Sequence, residues 1–339
     1  MKETKMKVGL VGYGKMGKIR EQTINKHPNI ELVAIFDNNS NNNIPKHYIS
    51  CKTFEDLLSQ NIDAVFIATY VKYLSMYTIK ALDSGKHVFC EKPPSINLDE
   101  MKKILFAEEK SKKILKYGFN HRFHFSVKEA KRLIDTKKFG KILWIRGVYG
   151  KAGSIDFNKN WRNYKKISGG GILIDQGIHM VDLIRYFIGE NVVCLNSYIF
   201  KSFWNIDAED NAFLLLRSKN GVVANMHSSA TQWKHKFLLE IALENGYINL
   251  DGILSPTRSY APEKLIIGRR EFEDVTFAMG KPKEETIYFE NDKSWEFELE
   301  EFYNAIVNNK KIKNGTSNDA FELMKIIDNV YKKSFTAKL

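Results

Sequence analysis

Lys7-Val8-Gly9-Leu10-Val11-Gly12-Tyr13-Gly14-Lys15-Met16-Gly17-Lys18-Ile19 is the stretch on which the fold turns. Lys7 to Gly12 reads as a short buried strand, and it runs without a spacer into GxGxxG at Gly12, Gly14 and Gly17, where a helix begins. Each glycine has its own task in such a junction: the first makes the tight turn, the second admits a pyrophosphate to the backbone, and the third lets helix and strand pack closely. The helix N-terminus then faces the anion with unpaired N–H groups. A glycine loop alone is weak evidence, so the residues around it have to agree.

They do. Glu31 to Phe36 is a second apolar strand ending in Asp37, twenty positions after Gly17. A carboxylate there accepts both hydroxyls of an adenosine ribose and repels a 2′-phosphate, which favours NAD over NADP. Alternation continues with a helix near Thr53 to Ser59, a strand Ala64 to Thr69, a helix Tyr73 to Ser84, a strand His87 to Cys90, a helix Leu98 to Ser111 and a strand Ile114 to Phe119. This is the order of a doubly wound parallel sheet, whose ligands bind beyond the carboxyl ends of the strands. Thr69 and Tyr70 close one strand there, and Glu91-Lys92-Pro93-Pro94 close the next. The loop and strand ends make Gly12, Tyr13, Gly14, Lys15, Met16, Asp37, Thr69 and Tyr70 the expected cofactor contacts, with Lys92 at the cleft edge.

Beyond residue 121 the period changes. A helix Ser126 to Asp135 and a strand Lys141 to Tyr149 precede a long loop, Gly150 to Ser168, that carries Trp161-Arg162. The loop ends in Gly169-Gly170-Gly171, which opens into an amphipathic pattern containing Asp175 and His179. On a helix this i, i+4 pair lies on one face, and a carboxylate beside an imidazole is an arrangement suited to proton transfer near neutral pH. Asp182, three positions after His179, is a second candidate to orient the ring. From Val192 onward, alternating segments at Asn211 to Arg217, Val222 to Ser228, Lys236 to Leu243 and Tyr247 to Leu250 predict an open, mostly antiparallel sheet. Two helices, Trp295 to Asn308 and Asn318 to Lys332, end the chain. The fold class is therefore α/β followed by α+β, a Rossmann domain over residues 1–121 and a substrate and oligomerisation domain over 122–339.

Composition narrows the function classes. The 339 residues carry a formal charge of +12, spread evenly: 19 basic and 13 acidic side chains in residues 1–120, 33 and 27 beyond. Without an arginine-rich stripe or interleaved aromatics, this surplus argues against a nucleic-acid partner. Cys51, Cys90 and Cys194 suggest neither a disulfide framework nor a zinc ribbon, and His121 with His124 lacks the company of a metal site. No apolar run is long enough to span a membrane and the start lacks a secretory pattern, so a cytoplasmic protein is expected.

The glycine loop, Asp37, Glu91-Lys92-Pro93, Gly118-Phe119-Asn120-His121-Arg122-Phe123, Trp161-Arg162, and Gly169-Gly170-Gly171 leading to Asp175 and His179 together resemble the Gfo/Idh/MocA family, over nearly the whole chain. The resemblance implies that Lys92, Asp175 and His179 occupy catalytic positions and that Lys92-Pro93 is a cis peptide. It implies that Glu91 and Asn120 border the nicotinamide half of NAD, and that Arg122, Trp161 and Arg162 border a sugar substrate. Tyr70, and Leu74 where the family often has histidine, depart from its pattern. The expected activity is NAD-dependent oxidation of a CH–OH group by a homodimer or homotetramer. The basic residues point to a phosphorylated or nucleotide-activated sugar; a free sugar or inositol, an NAD-dependent glycosidase and an NAD-binding regulator are the alternatives.

Overall fold

The computed structural model describes residues 5–39, 43–271 and 282–336. It divides into two compact units, Met1–Phe119 with Lys166–Gly169 and Trp295–Lys325, and Asn120–Lys165 with Gly170–Ser294 and Ile326–Leu339. The sequence suggests a single cut after residue 121; the structure instead returns a C-terminal segment to the first unit.

The first unit is built on β1 (Met6–Val11), α1 (Lys15–Lys26), β2 (Ile30–Phe36), β3 (Ile49–Cys51), α2 (Phe54–Leu58), β4 (Ala64–Ile67), α3 (Val71–Asp83), β5 (His87–Cys90), α4 (Leu98–Ser111) and β6 (Leu115–Tyr117). Its six strands are parallel in the order β3-β2-β1-β4-β5-β6. The central strands are almost wholly buried, β4 at all four positions and β1 at all but Lys7, as a sheet covered on both faces requires. Helix starts follow local chemistry. Thr53 and Asp56 form a reciprocal capping box on α2, and Asn97 accepts the Glu100 N–H at the head of α4.

The second unit begins with a 3₁₀ turn Asn120–Phe123, followed by α5 (Phe125–Asp135) and β7 (Ile142–Gly150). After the short α6 (Lys165–Ser168) comes a wide turn over Leu173–Gly177, in which the Ile178 N–H reaches back five residues to the Leu173 carbonyl. That turn runs into α7 (Ile178–Ile188). Strands β8 (Val192–Phe200), β9 (Asn211–Ser218), β10 (Val223–Ser229), β11 (Lys236–Leu243), β12 (Gly246–Asp251), β13 (Glu263–Arg269) and β14 (Glu284–Phe289) complete the sheet. Its order is β14-β13-β12-β11-β7-β10-β9-β8, antiparallel except for β7 beside β10. On β9 the side chains alternate strictly between buried and exposed after Ala212, so one face is core and the other is open.

Two helices close the chain, α8 (Ser294–Val307) and α9 (Ser317–Thr336). Phe302 of α8 packs edge-on against Phe66 and Phe89, with ring centroids 5.6 Å away in each case. Lys116, fully buried on β6, finds the Glu301 carboxylate at 2.5 Å, and Arg20 of α1 lies between Glu91 and Glu298 at 2.6 and 2.8 Å. Buried charges need such partners, which is why α8 belongs to the first unit.

Candidate active site

Strand register builds the first part of the site. Val11 lies beside both Phe36 and Ile67, and Ile67 beside Cys90. The residues that follow, Gly12, Asp37, Thr69 and Glu91-Lys92, therefore emerge along one edge of the first sheet. Asp37 is tied down before any ligand arrives: one oxygen accepts the Tyr13 N–H and the other the Asn39 N–H at 2.7 Å. Each carboxylate oxygen has two lone pairs, so one hydrogen bond does not by itself exhaust it as an acceptor.

The glycine loop divides its labour. Gly12 has φ +88°, and a Cβ there would come within 2.4 Å of the Ala68 carbonyl oxygen. At Gly14, by contrast, a Cβ would meet nothing within 4 Å, so the protein leaves space where a pyrophosphate has to approach. Lys15 and Met16 open α1 beside it, with no acidic residue in the first turn to repel phosphate. These features fit NAD. Tyr13 takes part through its backbone, because its ring is buried and its hydroxyl donates to Glu21 at 2.7 Å; burial and that carboxylate hold the phenol pKa up.

Further along the edge, Tyr70 is exposed at the start of α3 and Leu74 is buried beneath it. Lys92 is half-buried, and its peptide bond to Pro93 is cis. The Glu91 carboxylate, expected beside nicotinamide, is buried and pairs with Arg20. A salt-bridged, buried carboxylate shapes the strand end.

In the second unit, Asp175 sits on the wide turn and pairs with Lys151, the first residue beyond β7, and with Arg162 at 3.4 Å. The Arg162 guanidinium also lies 4.4 Å from the centre of the Trp161 ring. Tyr149, Gln176, His235 and Tyr260 surround this group: Gln176 donates to the Tyr260 hydroxyl at 2.8 Å, and Tyr260 meets both Tyr149 and His235 edge-on. Burial pushes the Tyr260 phenol up and, with help from Lys151, the His235 imidazole down. Both rings therefore stay uncharged. His179, in the first turn of α7, stacks on His121.

Two expected ligand contacts are interior. Arg122 is 5% exposed and grips Asp182 through two nitrogens at 2.8 and 2.5 Å, so its charge is spent inside the fold and Asp182 is taken by the arginine. Asn120 is buried, donating to Ser294 Oγ at 3.2 Å and facing His121 with its carbonyl. Lys151, Tyr149 and Tyr260 went unread in sequence, and His121 was read there only as half of a histidine pair and as part of the Gly118 to Phe123 segment. Lys151 is 24 residues from Asp175, and only the end of β7 brings it near. Among the described residues no helix is long and apolar enough to cross a membrane, and no cluster of three or more His, Cys, Asp or Glu is placed to hold a metal ion.

Residues 6–119 match the model of an oxidoreductase family with an NAD-binding Rossmann fold, and residues 127–249 match the Gfo/Idh/MocA C-terminal domain. The chain belongs to the Gfo/Idh/MocA family of NAD-binding oxidoreductases. It is 30% identical to glucose-6-phosphate 3-dehydrogenase of Bacillus subtilis over 241 residues, 66% of this chain and 67% of that one. It is 29% identical to myo-inositol 2-dehydrogenase of Thermotoga maritima, over 66% of this chain and 68% of that one. These matches span about two thirds of each relative's length. Levoglucosan dehydrogenase, in complex with NADH and L-sorbose, shares the fold at a TM-score of 0.83 and 22% identity, covering 98% of this chain and 97% of that one.

Proposed function

We propose that the chain is a dehydrogenase that removes a hydride and a proton from a secondary alcohol of an uncharged sugar or cyclitol, leaving a ketone. NAD, when bound, supplies the hydride acceptor. Asp37 and the backbone of the Gly12 to Met16 loop hold its adenosine and pyrophosphate, and Thr69 and Tyr70 border it. The His179 imidazole takes the hydroxyl proton, the Lys92 ammonium donates a hydrogen bond to the oxygen as charge develops, and Asp175 with Trp161 and Arg162 orients the sugar.

The observation that carries the substrate class is the pairing of cations around Asp175. Lys151 and Arg162 share the one carboxylate of Asp175 and Arg122 is matched by Asp182, so one positive charge of the three is left over, among hydrogen-bonding groups suited to hydroxyls. A phosphorylated or nucleotide-activated sugar is the second reading, favoured by the likeness to a glucose-6-phosphate 3-dehydrogenase. Both are tested by one screen with NAD, following absorbance of the reduced cofactor against free sugars, inositols, sugar phosphates and nucleotide sugars. The expected order of kcat/KM puts uncharged polyols first, and a phosphorylated substrate ahead of its parent sugar reverses the assignment. NADH accumulating in proportion to substrate consumed separates a dehydrogenase from a glycosidase or a regulator.

Lys92→Met and His179→Gln should each lower kcat by roughly a hundredfold or more while NADH binding, followed by fluorescence, stays within about twofold. Turnover at the wild-type rate in both variants removes these roles. Assembly into a homodimer or homotetramer through the open sheet face belongs to the same reading.

A further inference from the structure

The imidazoles of His121 and His179 lie face to face, their centroids 3.9 Å apart and their planes within 13°. His121 is 8% exposed and His179 4%, so a charge that forms on either ring has little water to solvate it. What the first ring can do for the second depends on its protonation state, and its hydrogen bonds fix that.

Nδ1 of His121 lies 3.2 Å from Asn120 Oδ1. That oxygen can only accept, since the other end of the amide donates to Ser294 Oγ, so Nδ1 carries the proton. Nε2 lies 3.0 Å from the Tyr149 hydroxyl, and the neutral ring accepts there. Tyr149 is itself buried, and burial, with Tyr260 and Asp175 nearby, keeps its phenol protonated far above the ordinary range. A second proton on His121 would have to displace the phenol hydrogen from its buried acceptor. The ring is held neutral.

We propose that His121 is a positioning residue for proton transfer: its neutral face fixes the plane of the His179 ring and stabilises the imidazolium that His179 becomes when it accepts the substrate proton. A π face attracts a cation stacked on it, most strongly where water is excluded. The inference rests on the reading of His179 as the base. The elements packed around α7 in this unit also carry charged and titratable groups. The wide turn contributes Asp175, matched by Lys151 and Arg162. The 3₁₀ turn contributes Arg122, matched by Asp182 of α7, and α7 itself carries Arg185, which donates to Asn191. β7 contributes Tyr149 on its buried face, and β10 presents the uncharged Ala224, Met226 and Ser228 there. His124, 5.6 Å behind His121, is bound to Glu263. The stacked face of His121 is a source of stabilisation distinct from these ion pairs and hydrogen bonds.

The test is a histidine-labelled NMR titration of His179 in NAD-free protein, paired with pH profiles of kcat. In His121→Ala the His179 midpoint should fall by about one pH unit, the acidic limb of kcat should move down with it, and kcat should drop roughly tenfold with substrate KM nearly unchanged. His121→Phe, which restores a flat ring, should recover most of the midpoint. An unmoved midpoint in folded His121→Ala overturns the proposal. If that variant does not fold, Tyr149→Phe takes its place: His121 should then gain a titration of its own and depress that of His179, and a silent His121 is the contrary result. His179→Gln turning over at the wild-type rate defeats the base reading alone, since the NMR midpoint still reports the stack.

Discussion

Gly12 and Gly14 stand two positions apart in one loop, and the same substitution should separate their roles. Gly12 is held at φ +88° against the Ala68 carbonyl, so Gly12→Ala forces a left-handed alanine and a steric clash, costing about 1–3 kcal/mol of stability. Gly14 has φ −76° and ψ −163° with open space around its α-carbon, a conformation that any residue adopts. Gly14→Ala should melt with the wild type and yet bind NADH at least about tenfold more weakly, because the methyl occupies the approach of the pyrophosphate. Calorimetry and fluorescence titration check the pair. A Gly14→Ala protein that binds normally would show that the open space is not where the cofactor lies. The same scale shows what the resemblance leaves out for Arg122: its carboxylate partner, Asp182, lies sixty residues away.

At the scale of elements, the start of the helical run that carries Asp175 and His179 depends on one buried carboxylate. Glu209 accepts the Gly171 and Leu173 N–H groups at 3.0 Å and the Tyr331 hydroxyl at 2.8 Å. Its position beside free N–H groups suits an acid, although burial pulls its pKa upward. Glu209→Ala strands these donors and should cost about 3 kcal/mol or more in a denaturant titration, with Glu209→Gln retaining most of that stability. Equal losses would mean that the charge, rather than the acceptor, holds the turn.

Helix α8 offers a pH-dependent counterpart. Burial drives Glu298 up to about 7 against the pull of Arg20 and Lys116. A carboxyl raised in the folded state favours folding at low pH, and that contribution is lost as pH climbs from about 4.5 to about 7. Glu298→Gln should remove this decline, so its denaturation midpoint loses less than the wild type's between pH 5 and 8; parallel curves would contradict the assignment.

Much of this architecture was legible from period and punctuation. The glycine loop, the parallel strands up to β6, Asp37 and the run from Gly169 to Asp182 all announce themselves locally. β3, three residues long, and β13 and β14 did not, because their pairing is decided by distant strands. Nor does i, i+4 spacing distinguish the wide turn at Leu173–Gly177 from an ordinary helix. The return of α8 to the first unit had one unused signal, Lys116 between the apolar Leu115 and Tyr117, a charge that needs a buried partner.

At the scale of the whole molecule, the outer face of the second sheet exposes a row of apolar and aromatic side chains. Trp144 of β7 lies beside Val223 of β10, and Phe213 of β9 lies between Tyr198 of β8 and His227 of β10, its ring stacked on that histidine at 3.9 Å. Val193 is 60% exposed, Tyr198 57%, Trp144 44% and Phe213 44%. A contiguous apolar and aromatic face of this extent is what a self-complementary interface needs. The opposing term is charge, since each copy carries +12. Two such copies repel at long range, and at 0.15 M salt the repulsion is screened over about 8 Å. Light scattering at micromolar concentration should therefore find a dimer or tetramer that tightens as salt is raised. Trp144→Glu combined with Phe213→Glu should give a folded monomer, because it puts carboxylates where the face must be dry. Monomer alone in the wild type at every salt concentration would leave this face without a partner of its own kind.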